Sequence, residues 1–289
     1  MGWPMAQQLI RSGHMVSVWT HSRPKLDRFV QENQATAADT PAELAAHCEV
    51  VFLCVGNTEM SRRCILGPQG MIHGAADTTI LVDCSTISPS ASKEMARELA
   101  AGNVQLIDAP CTGSKSGAEA GTLTFMVGGP DEIVDRIRPL LLAMGKEIYH
   151  CGAQGMGLHA KVTQNLILGN LLQAFNEGLV LSTKAGVAPE VMLQILNHSG
   201  AQSTFVSVKA PFVFRGEFAP TFSVKWMEKD LALALEAGAE LQVPLPVTSV
   251  SRQMLSAAIA RGWGEEDICG SIRLLEDLSG CAVRAVSPR

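Results

Sequence analysis

Glycine and small hydroxyl residues are concentrated in the segment DAPCTGSKSGAEAGTLTFMVGG, residues 108–129. Five glycines accompany Thr112, Ser114 and Ser116, directly after a strand-like run. Glycines let backbone N–H groups converge on an anion because no Cβ stands in the way. Such amides and hydroxyls would hold a small carboxylate, so the segment predicts a carboxylate-binding site. The alternative is a flexible connecting loop, which would not need so many small residues beside strand-like runs.

A lysine and an asparagine follow in the segment GMGLHAKVTQN, residues 155–165. Lys161 and Asn165 are four residues apart, so they share one face of a predicted helix. A lysine is rarely buried unless it is paired or used in chemistry, and this helix is apolar on nearly every side. Lys161 is therefore a candidate functional residue. The alternative is a lysine that snorkels into solvent from the start of the helix.

The chain begins with Met1 and Gly2, which lead into a predicted helix and then a strand at 15–20. A glycine at this place is typical of the phosphate-binding turn of a βαβ unit, although any helix can begin after a glycine. NAD sites place an acid after the strand, whereas NADP sites use arginine or other donors. Here the first acid is Asp27, which follows Thr20, His21, Ser22, Arg23, Pro24 and Lys25. This turn favours the 2′-phosphate of NADP; a solvated basic turn is the alternative.

The elements that must position these residues differ between the two halves of the chain. In the first half, β-branched apolar runs predict strands at 15–20, 49–55, 78–84, 104–109, 122–129 and 146–151. Thr40-Pro41 and Ser88-Pro89 predict helix starts, and a further helix is predicted at 131–144. Strands that alternate with helices indicate βαβ units and a parallel sheet. We therefore assign residues 1–152 to an α/β domain.

The second half, residues 153–289, contains no further strand-like run. Residues 157–186 read as one long helix that is apolar on nearly every face, so we expect it to be buried all round. Further helices are predicted at 189–198, 228–240, 247–261 and 265–279. The segment from Phe222 to Leu231, which leads into the helix predicted at 228–240, reads by itself as an amphipathic helix start with solvated charges. The second domain is expected to be all-α.

Composition excludes several classes of protein. The 289 residues are 47% hydrophobic and 18% charged, which excludes a disordered chain. The net charge of −5 and the single tyrosine argue against a nucleic-acid partner. No apolar run reaches the roughly 18 residues of a membrane span. Eight cysteines without a CxxC pair indicate reduced, buried thiols in a cytoplasmic protein, and the seven scattered histidines predict no metal site.

Together these segments resemble the β-hydroxyacid dehydrogenase family, which includes 3-hydroxyisobutyrate dehydrogenase, tartronate semialdehyde reductase and glyoxylate/succinic semialdehyde reductase. The resemblance covers essentially the whole chain and rests on DAPxxG…GTLxxMVGG, GxGxxxKxxxN and KDLxLA occurring in this order. It implies a Rossmann-like parallel sheet, a long interdomain helix, and an all-helical domain that binds substrate and supports homodimers or homotetramers.

The resemblance also implies roles for individual residues. Lys161 matches the catalytic lysine that exchanges a proton with the substrate oxygen, and Asn165 matches the residue that orients substrate and lysine. Thr112, Gly113 and Ser114 stand where the family has Ser-Gly-Gly, which holds the substrate carboxylate, and Phe222 matches a residue that lines the cleft. The positions implied to contact cofactor are Met1, Gly2, Thr20, His21, Ser22, Arg23, Val55, Gly56, Ser85 and Lys229.

Within the family, FSVKWMEKDLALAL and AFNEGLVLSTKAG look most similar to the glyoxylate/succinic semialdehyde reductases. With the acid-free turn after Thr20, this favours reduction of a small carboxylate-bearing aldehyde by NADPH, while NAD(H) stays possible. An NAD-dependent 3-hydroxyisobutyrate dehydrogenase or tartronate semialdehyde reductase is the alternative. From another class, the alternative is a non-catalytic dinucleotide-binding scaffold, which would have no use for a buried proton donor.

Two related families fit the residues less well. 6-Phosphogluconate dehydrogenase shares the fold and the lysine, but it is far longer and has a histidine where Gln164 stands. Imine reductases share the architecture without the lysine. Family members also begin with a strand and the sequence GLGxMG, whose last two residues align with Met1 and Gly2. We therefore expect that about ten residues, including a first strand, are missing, and that restoring them improves cofactor binding and stability.

Overall fold

The computed structural model describes residues 1–285, so the last four residues of the predicted second domain lie outside the described residues. The chain divides into two compact units, Met1–Val162 and the part from Thr163 onward. Within residues 1–285, no helix combines the length and the apolar character that crossing a bilayer requires.

The first unit alternates strands and helices, as the sequence pattern predicts. Its strands are β1 (Val16–Val18), β2 (Ala35–Ala37), β3 (Val50–Leu53), β4 (Ile80–Asp83), β5 (Gln105–Asp108), β6 (Cys111–Thr112), β7 (Leu123–Gly128) and β8 (Gly145–Gly152). Its helices are α1 (Gly2–Arg11), α2 (Arg23–Glu32), α3 (Pro41–Ala46), α4 (Thr58–Leu66), α5 (Pro89–Ala100), α6 (Ser114–Ala120) and α7 (Asp131–Met144), with a 3₁₀ turn at Met71–His73.

The main sheet is parallel on one side and gains antiparallel pairs on the other. β3, β4 and β5 are parallel neighbours, with Val50 opposite Ile80 and Ile80 opposite Gln105. β7 runs antiparallel to β5 and β6 and parallel to β8. β1 and β2 pair with each other in a separate two-stranded parallel sheet. The predicted Rossmann-like parallel sheet is thus confirmed, whereas the antiparallel pairing of β7 was not predicted.

Helices pack on both faces of the main sheet, and alternate residues of β4 point toward opposite faces. Ile80 and Val82 belong to one buried cluster, which also contains residues of α1 and α7. Leu81 belongs to a second buried cluster, which contains residues of α3, α4 and α5. A strand buried on both faces explains why β4 reads as a continuous apolar run rather than an alternating one.

Two helix starts show the capping predicted from their sequences. Thr40 Oγ1 accepts a hydrogen bond from the Glu43 amide at 3.0 Å, at the start of α3. Ser88 Oγ accepts from the Ala91 amide at 3.4 Å, at the start of α5. In both helices a proline follows the cap at the first helical position, where its missing N–H costs nothing.

The second unit is helical, as predicted, and it is entered by the long helix α8 (Met156–Lys184). The helices that follow are α9 (Pro189–Asn197), α10 (Thr204–Arg215), α11 (Val224–Glu240), α12 (Pro246–Ala260) and α13 (Arg273–Ser279). The helix predicted at 265–279 is only partly α-helical, because Ile268–Ile272 forms a 3₁₀ turn before α13. Helix α10 was not predicted, and it contains Pro211, a residue that normally marks a helix boundary.

The expectation that the long helix is buried all round is wrong. In α8 the side chains of Leu172 and Leu179 are buried, but Ile167 is 61% and Leu181 is 73% exposed. The sequence shows apolar residues on every face, yet the surrounding helices cover only some of these faces. The expectation of buried thiols is also only partly correct, because Cys64, Cys84 and Cys269 are buried and the other five cysteines are half-buried.

Candidate active site

Several residues predicted to contact cofactor lie after the carboxyl ends of parallel strands in the first unit. Thr20 follows β1, Val55 and Gly56 follow β3, and Ser85 follows β4. The Ser85 hydroxyl accepts a hydrogen bond from the Val55 amide at 2.8 Å, and the Ser85 amide donates to Asp83 Oδ1 at 2.8 Å. Ser85 is buried, and it fixes the backbone after β3 relative to β4.

The amino-terminal end of α1 offers donors for a phosphate. Met1 is the residue before the helix, Gly2 is its first residue, and no side chain caps it. Its first turn contains no acidic residue. Uncapped N–H groups at the start of a helix bind anions, and the helix dipole adds to this attraction. The donor set therefore fits the phosphates of a dinucleotide.

The turn after β1 carries the predicted basic and hydroxyl groups. His21 is exposed, Ser22 is the residue before α2, and Arg23 is the first residue of that helix. The Arg23 guanidinium contacts two carboxylates, Asp27 Oδ1 at 2.9 Å and Asp39 Oδ1 at 2.8 Å. Sequence reasoning missed Asp39, which lies after β2 and is remote in sequence from this turn.

The residues predicted to hold a substrate carboxylate lie where β6 ends and α6 begins. Thr112 is in β6, where it pairs with Thr124 of β7. Gly113, the residue before α6, has a φ of 127°, and Ser114, the first residue of α6, has a φ of 57°, so the chain turns sharply into this helix. The segment is thus built of short regular elements, not of the flexible loop that was the alternative.

Lys161 lies near the start of α8 and is buried, with 7% of its surface exposed. This burial excludes the alternative of a side chain that snorkels into solvent. Burial raises the pKa of the Cys111 thiol to about 12, and the positive charge of Lys161 is among the effects that oppose this rise. The charge of Lys161 thus reaches Cys111, the residue directly before Thr112.

In the second unit, Asp230 connects two of the predicted residues. Asn165 Nδ2 donates to Asp230 Oδ2 at 2.6 Å, and Lys229 Nζ lies 2.8 Å from Asp230 Oδ1. Asn165 and Asp230 are buried, whereas Lys225, Glu228 and Lys229 are half-buried, so the interpretation of solvated charges at this helix start fails only for Asp230. Sequence reasoning missed Asp230, although its position inside the KDLxLA motif was a usable signal.

Phe222 precedes α11 and is held by a buried ion pair that sequence reasoning also missed. Lys209 Nζ lies 2.7 Å from Asp267 Oδ1. Asp267 Oδ2 accepts from the amides of Thr221 at 3.0 Å and Phe222 at 3.3 Å. Burial by itself would raise the pKa of Asp267, but the bonds from Lys209 and Thr221 outweigh burial and lower it. In residues 1–285, no three His, Cys, Asp or Glu side chains come together as metal ligands.

Comparison with known proteins identifies the family. Residues 1–152 match the family model for the NAD-binding domain of 6-phosphogluconate dehydrogenase. Residues 155–275 match the model for the NAD-binding region of NADP-dependent 3-hydroxyisobutyrate dehydrogenase. The chain belongs to the β-hydroxyacid dehydrogenase family. As a β-hydroxyacid dehydrogenase, it is an NAD(P)-dependent oxidoreductase, which confirms the predicted enzyme class.

Individual relatives align with this β-hydroxyacid dehydrogenase over most of their length. The 2-(hydroxymethyl)glutarate dehydrogenase of Eubacterium barkeri is 36% identical over 98% of this chain and 94% of its own. The 3-hydroxyisobutyrate dehydrogenase of Pseudomonas aeruginosa is 35% identical over 89% of this chain and 88% of its own. The solved 3-hydroxyisobutyrate dehydrogenase of Mycobacterium tuberculosis, with L-serine, has a TM-score of 0.87 and 29% identity over 95% of each chain.

Proposed function

We propose that this chain catalyses reversible hydride transfer between NADP(H) and a small hydroxyacid or semialdehyde acid, with Lys161 as the general acid and base. The observation that carries the proposal is the burial of Lys161 near the start of α8. A buried ammonium beside a carboxylate-binding segment suits a substrate that carries both a carbonyl and a carboxylate.

When bound, the nicotinamide cofactor supplies the hydride for reduction of the carbonyl carbon and accepts it in the reverse reaction. Lys161 Nζ donates a proton to the substrate oxygen as negative charge develops there, and it takes the proton back during oxidation. Its positive charge also stabilises the oxyanion, which is favoured where water is excluded. Asn165, one turn further along α8, orients the oxygen, and Asp230 holds its amide.

The proposed substrates are short and carry one carboxylate. Thr112 and Ser114 supply hydroxyls, and Gly113 lets the backbone turn toward the anion. Glyoxylate and succinic semialdehyde are the first candidates, because the segments FSVKWMEKDLALAL and AFNEGLVLSTKAG resemble those of the glyoxylate/succinic semialdehyde reductases. The alternative substrate is 3-hydroxyisobutyrate, because two of the relatives are named 3-hydroxyisobutyrate dehydrogenase. The L-serine in the Mycobacterium structure is itself a 3-hydroxy carboxylate.

Replacing the lysine tests the mechanism. Lys161→Ala should lower kcat by about 10²- to 10⁴-fold, because proton transfer to the oxygen is lost, while NADPH binding persists. Lys184→Ala is the matched control, since Lys184 lies at the other end of the same helix and bonds the Ser279 carbonyl at 2.7 Å. Steady-state kinetics and fluorescence titration with NADPH give both readouts. Full turnover in Lys161→Ala would contradict the proposed mechanism.

A substrate panel tests the finer assignment. Glyoxylate and the succinic, tartronic and methylmalonic semialdehydes should each be assayed with NADPH and with NADH. We expect the highest kcat/KM for glyoxylate or succinic semialdehyde with NADPH. A higher value for methylmalonic semialdehyde with NADH would instead favour an NAD-dependent 3-hydroxyisobutyrate dehydrogenase.

We also propose that the chain assembles as a homodimer or homotetramer. Support comes from Ile167 and Leu181, large apolar side chains of α8 that are exposed in the single chain. Apolar residues on the surface of a long helix are common where a second subunit covers them.

A further inference from the structure

The carboxylate of Asp108 meets the amino-terminal end of α8 inside the first unit. Asp108 is the last residue of β5 and is 0% exposed. Its Oδ1 accepts a hydrogen bond from the Gly155 amide at 2.6 Å, and its Oδ2 accepts from the Leu158 amide at 2.8 Å. Gly155 directly precedes the helix and has no side chain that could cap it. Asp108, at the end of β5, therefore caps the amino-terminal end of α8.

Two motif glycines provide the space for this carboxylate. A Cβ on Gly157 would lie 2.9 Å from Asp108 Oδ2 and 2.9 Å from the Gly128 nitrogen. A Cβ on Gly128 would lie 2.8 Å from Asp108 Oδ2 and 2.9 Å from the Ala153 carbonyl oxygen. Real Cβ atoms do not approach other atoms so closely. The glycines of the MVGG and GMG sequences thus let β5, β7 and α8 converge on one acidic side chain.

We infer that Asp108 is a positioning residue for Lys161: its ionised carboxylate fixes the first turn of α8 and thereby the place of the ammonium. Lys161 follows Leu158 by three residues, so it lies within about one helical turn of the fixed amide. A displaced first turn would move the ammonium relative to the substrate oxygen. The inference rests on the proposed role of Lys161 as acid and base.

The arrangement requires the charged form of Asp108, since a protonated carboxyl would direct an O–H toward groups that are themselves donors. Burial raises the pKa of Asp108 from 3.8 to about 6, against the lowering effect of the Gly155 and Leu158 amides. Asp83 on β4 and Cys151 on β8 also interact electrostatically with this carboxylate. The pKa of Asp108 is higher in the folded chain than in the unfolded chain. The free energy of unfolding therefore falls as the pH rises from 3.8 toward 6. The ionised carboxylate thus holds the first turn of α8 in place, although its ionisation lowers the free energy of unfolding.

The test removes the negative charge of Asp108 and keeps the shape of its side chain. Asp108→Asn retains one acceptor, so one of the two amides loses its partner. We expect kcat to fall about 10- to 100-fold, because a displacement of the Lys161 ammonium by about 1 Å has an effect of this size. KM for NADPH should stay within about threefold of its original value. In the unsubstituted enzyme, kcat should decline on the acidic side with a midpoint near pH 6 as Asp108 is protonated. This acidic decline should be absent from Asp108→Asn.

Asp83→Asn is the matched control. Asp83 is buried at the end of the neighbouring strand, directly opposite Asp108 in the β4–β5 register, and it bonds the Ser85 amide instead of α8. It should lose stability and raise KM for NADPH, yet keep the acidic decline of kcat. If Asp108→Asn keeps both kcat and this decline while Lys161→Ala is inactive, the positioning role is overturned and the proposed function stands. If Lys161→Ala is active, the proposed function itself fails.

Hydrogen exchange provides a readout that needs no variant. In the unsubstituted enzyme, exchange measured by mass spectrometry on peptides covering residues 155–165 should show protection that falls as the pH drops below about 6. Peptides from α5 should keep their protection over the same range. Constant protection at the start of α8 between pH 5 and 7 would overturn the inference even if Asp108→Asn failed to fold.

Discussion

Arg23 has two carboxylates beside its guanidinium, and these acids compete with any anion for its charge. Asp27 is one turn further along α2, and Asp39 follows β2. All three side chains are largely exposed, so these ion pairs are weak and a cofactor phosphate can replace one of them. At the residue scale, the proposed preference for NADP therefore depends on whether Arg23 exchanges a carboxylate for the 2′-phosphate.

Arg23→Ala should lower the ratio of kcat/KM for NADPH to that for NADH by about tenfold, because one charge-assisted bond to the 2′-phosphate is lost. Arg28→Ala is the control, since Arg28 lies on the same helix and pairs with Glu32 at 2.6 Å. It should leave the ratio unchanged. An unsubstituted enzyme that prefers NADH would show that the turn after β1 does not select NADP.

Lys209 and Asp267 join several elements of the second unit. Lys209 is on α10, Asp267 precedes the 3₁₀ turn at Ile268–Ile272, and the carboxylate also holds the backbone of Thr221 and Phe222 before α11. Both side chains are buried, so removal of either one leaves an unpaired charge or a set of unsatisfied donors. At the element scale, this pair fixes the segment that carries Phe222.

Asp267→Asn should lower the free energy of unfolding by about 3 kcal/mol, since Lys209 then stays buried without a counter-charge. The pKa of Asp267 is lowered in the folded chain, so its stabilising effect is present above its ordinary value of 3.8 and is lost as the pH falls through the lower folded value. Urea unfolding at pH 7 and pH 3 checks both effects. Glu217→Gln, from the exposed Arg215–Glu217 pair, should cost at most about 1 kcal/mol. Equal losses in the two variants would contradict this role.

The whole molecule exposes apolar side chains along α8 that its own helices leave uncovered. Ile167 and Leu181 are fourteen positions apart, close to four helical turns, so they lie on the same side of the helix. In the proposed homo-oligomer, a second copy of the chain would cover this side of α8. Oligomerisation is therefore expected to involve this side of α8.

Leu181→Glu should shift the enzyme toward monomer, because association would bury an unpaired carboxylate. Size-exclusion chromatography with light scattering, over a range of protein concentrations, measures the change. Leu278→Glu is the control, since Leu278 is 74% exposed on α13 and α13 is not part of this surface. An unsubstituted enzyme that is monomeric throughout that range would contradict the proposed assembly.

Some elements were predictable because their signals are local. The strands β3, β4 and β5 read as apolar β-branched runs, and α3 and α5 begin with a hydroxyl cap followed by proline. Strands β2, with the sequence ATA, and β6, with the sequence CT, contain no run of large apolar residues and therefore show no strand pattern. Helix α10 contains Pro211, which made a continuous helix hard to predict.

The amino-acid sequence by itself determined the family, the order of the motifs and the spacing that places Lys161 and Asn165 on one face of a helix. Only the tertiary structure decided which acids bond the first turn of α8 and the side-chain amide of Asn165. Asp108 meets Leu158 across 50 positions of sequence, and Asp230 meets Asn165 across 65. Helical spacing follows from backbone geometry and is local, whereas a buried carboxylate finds its donors through the packing of elements that are distant in the chain.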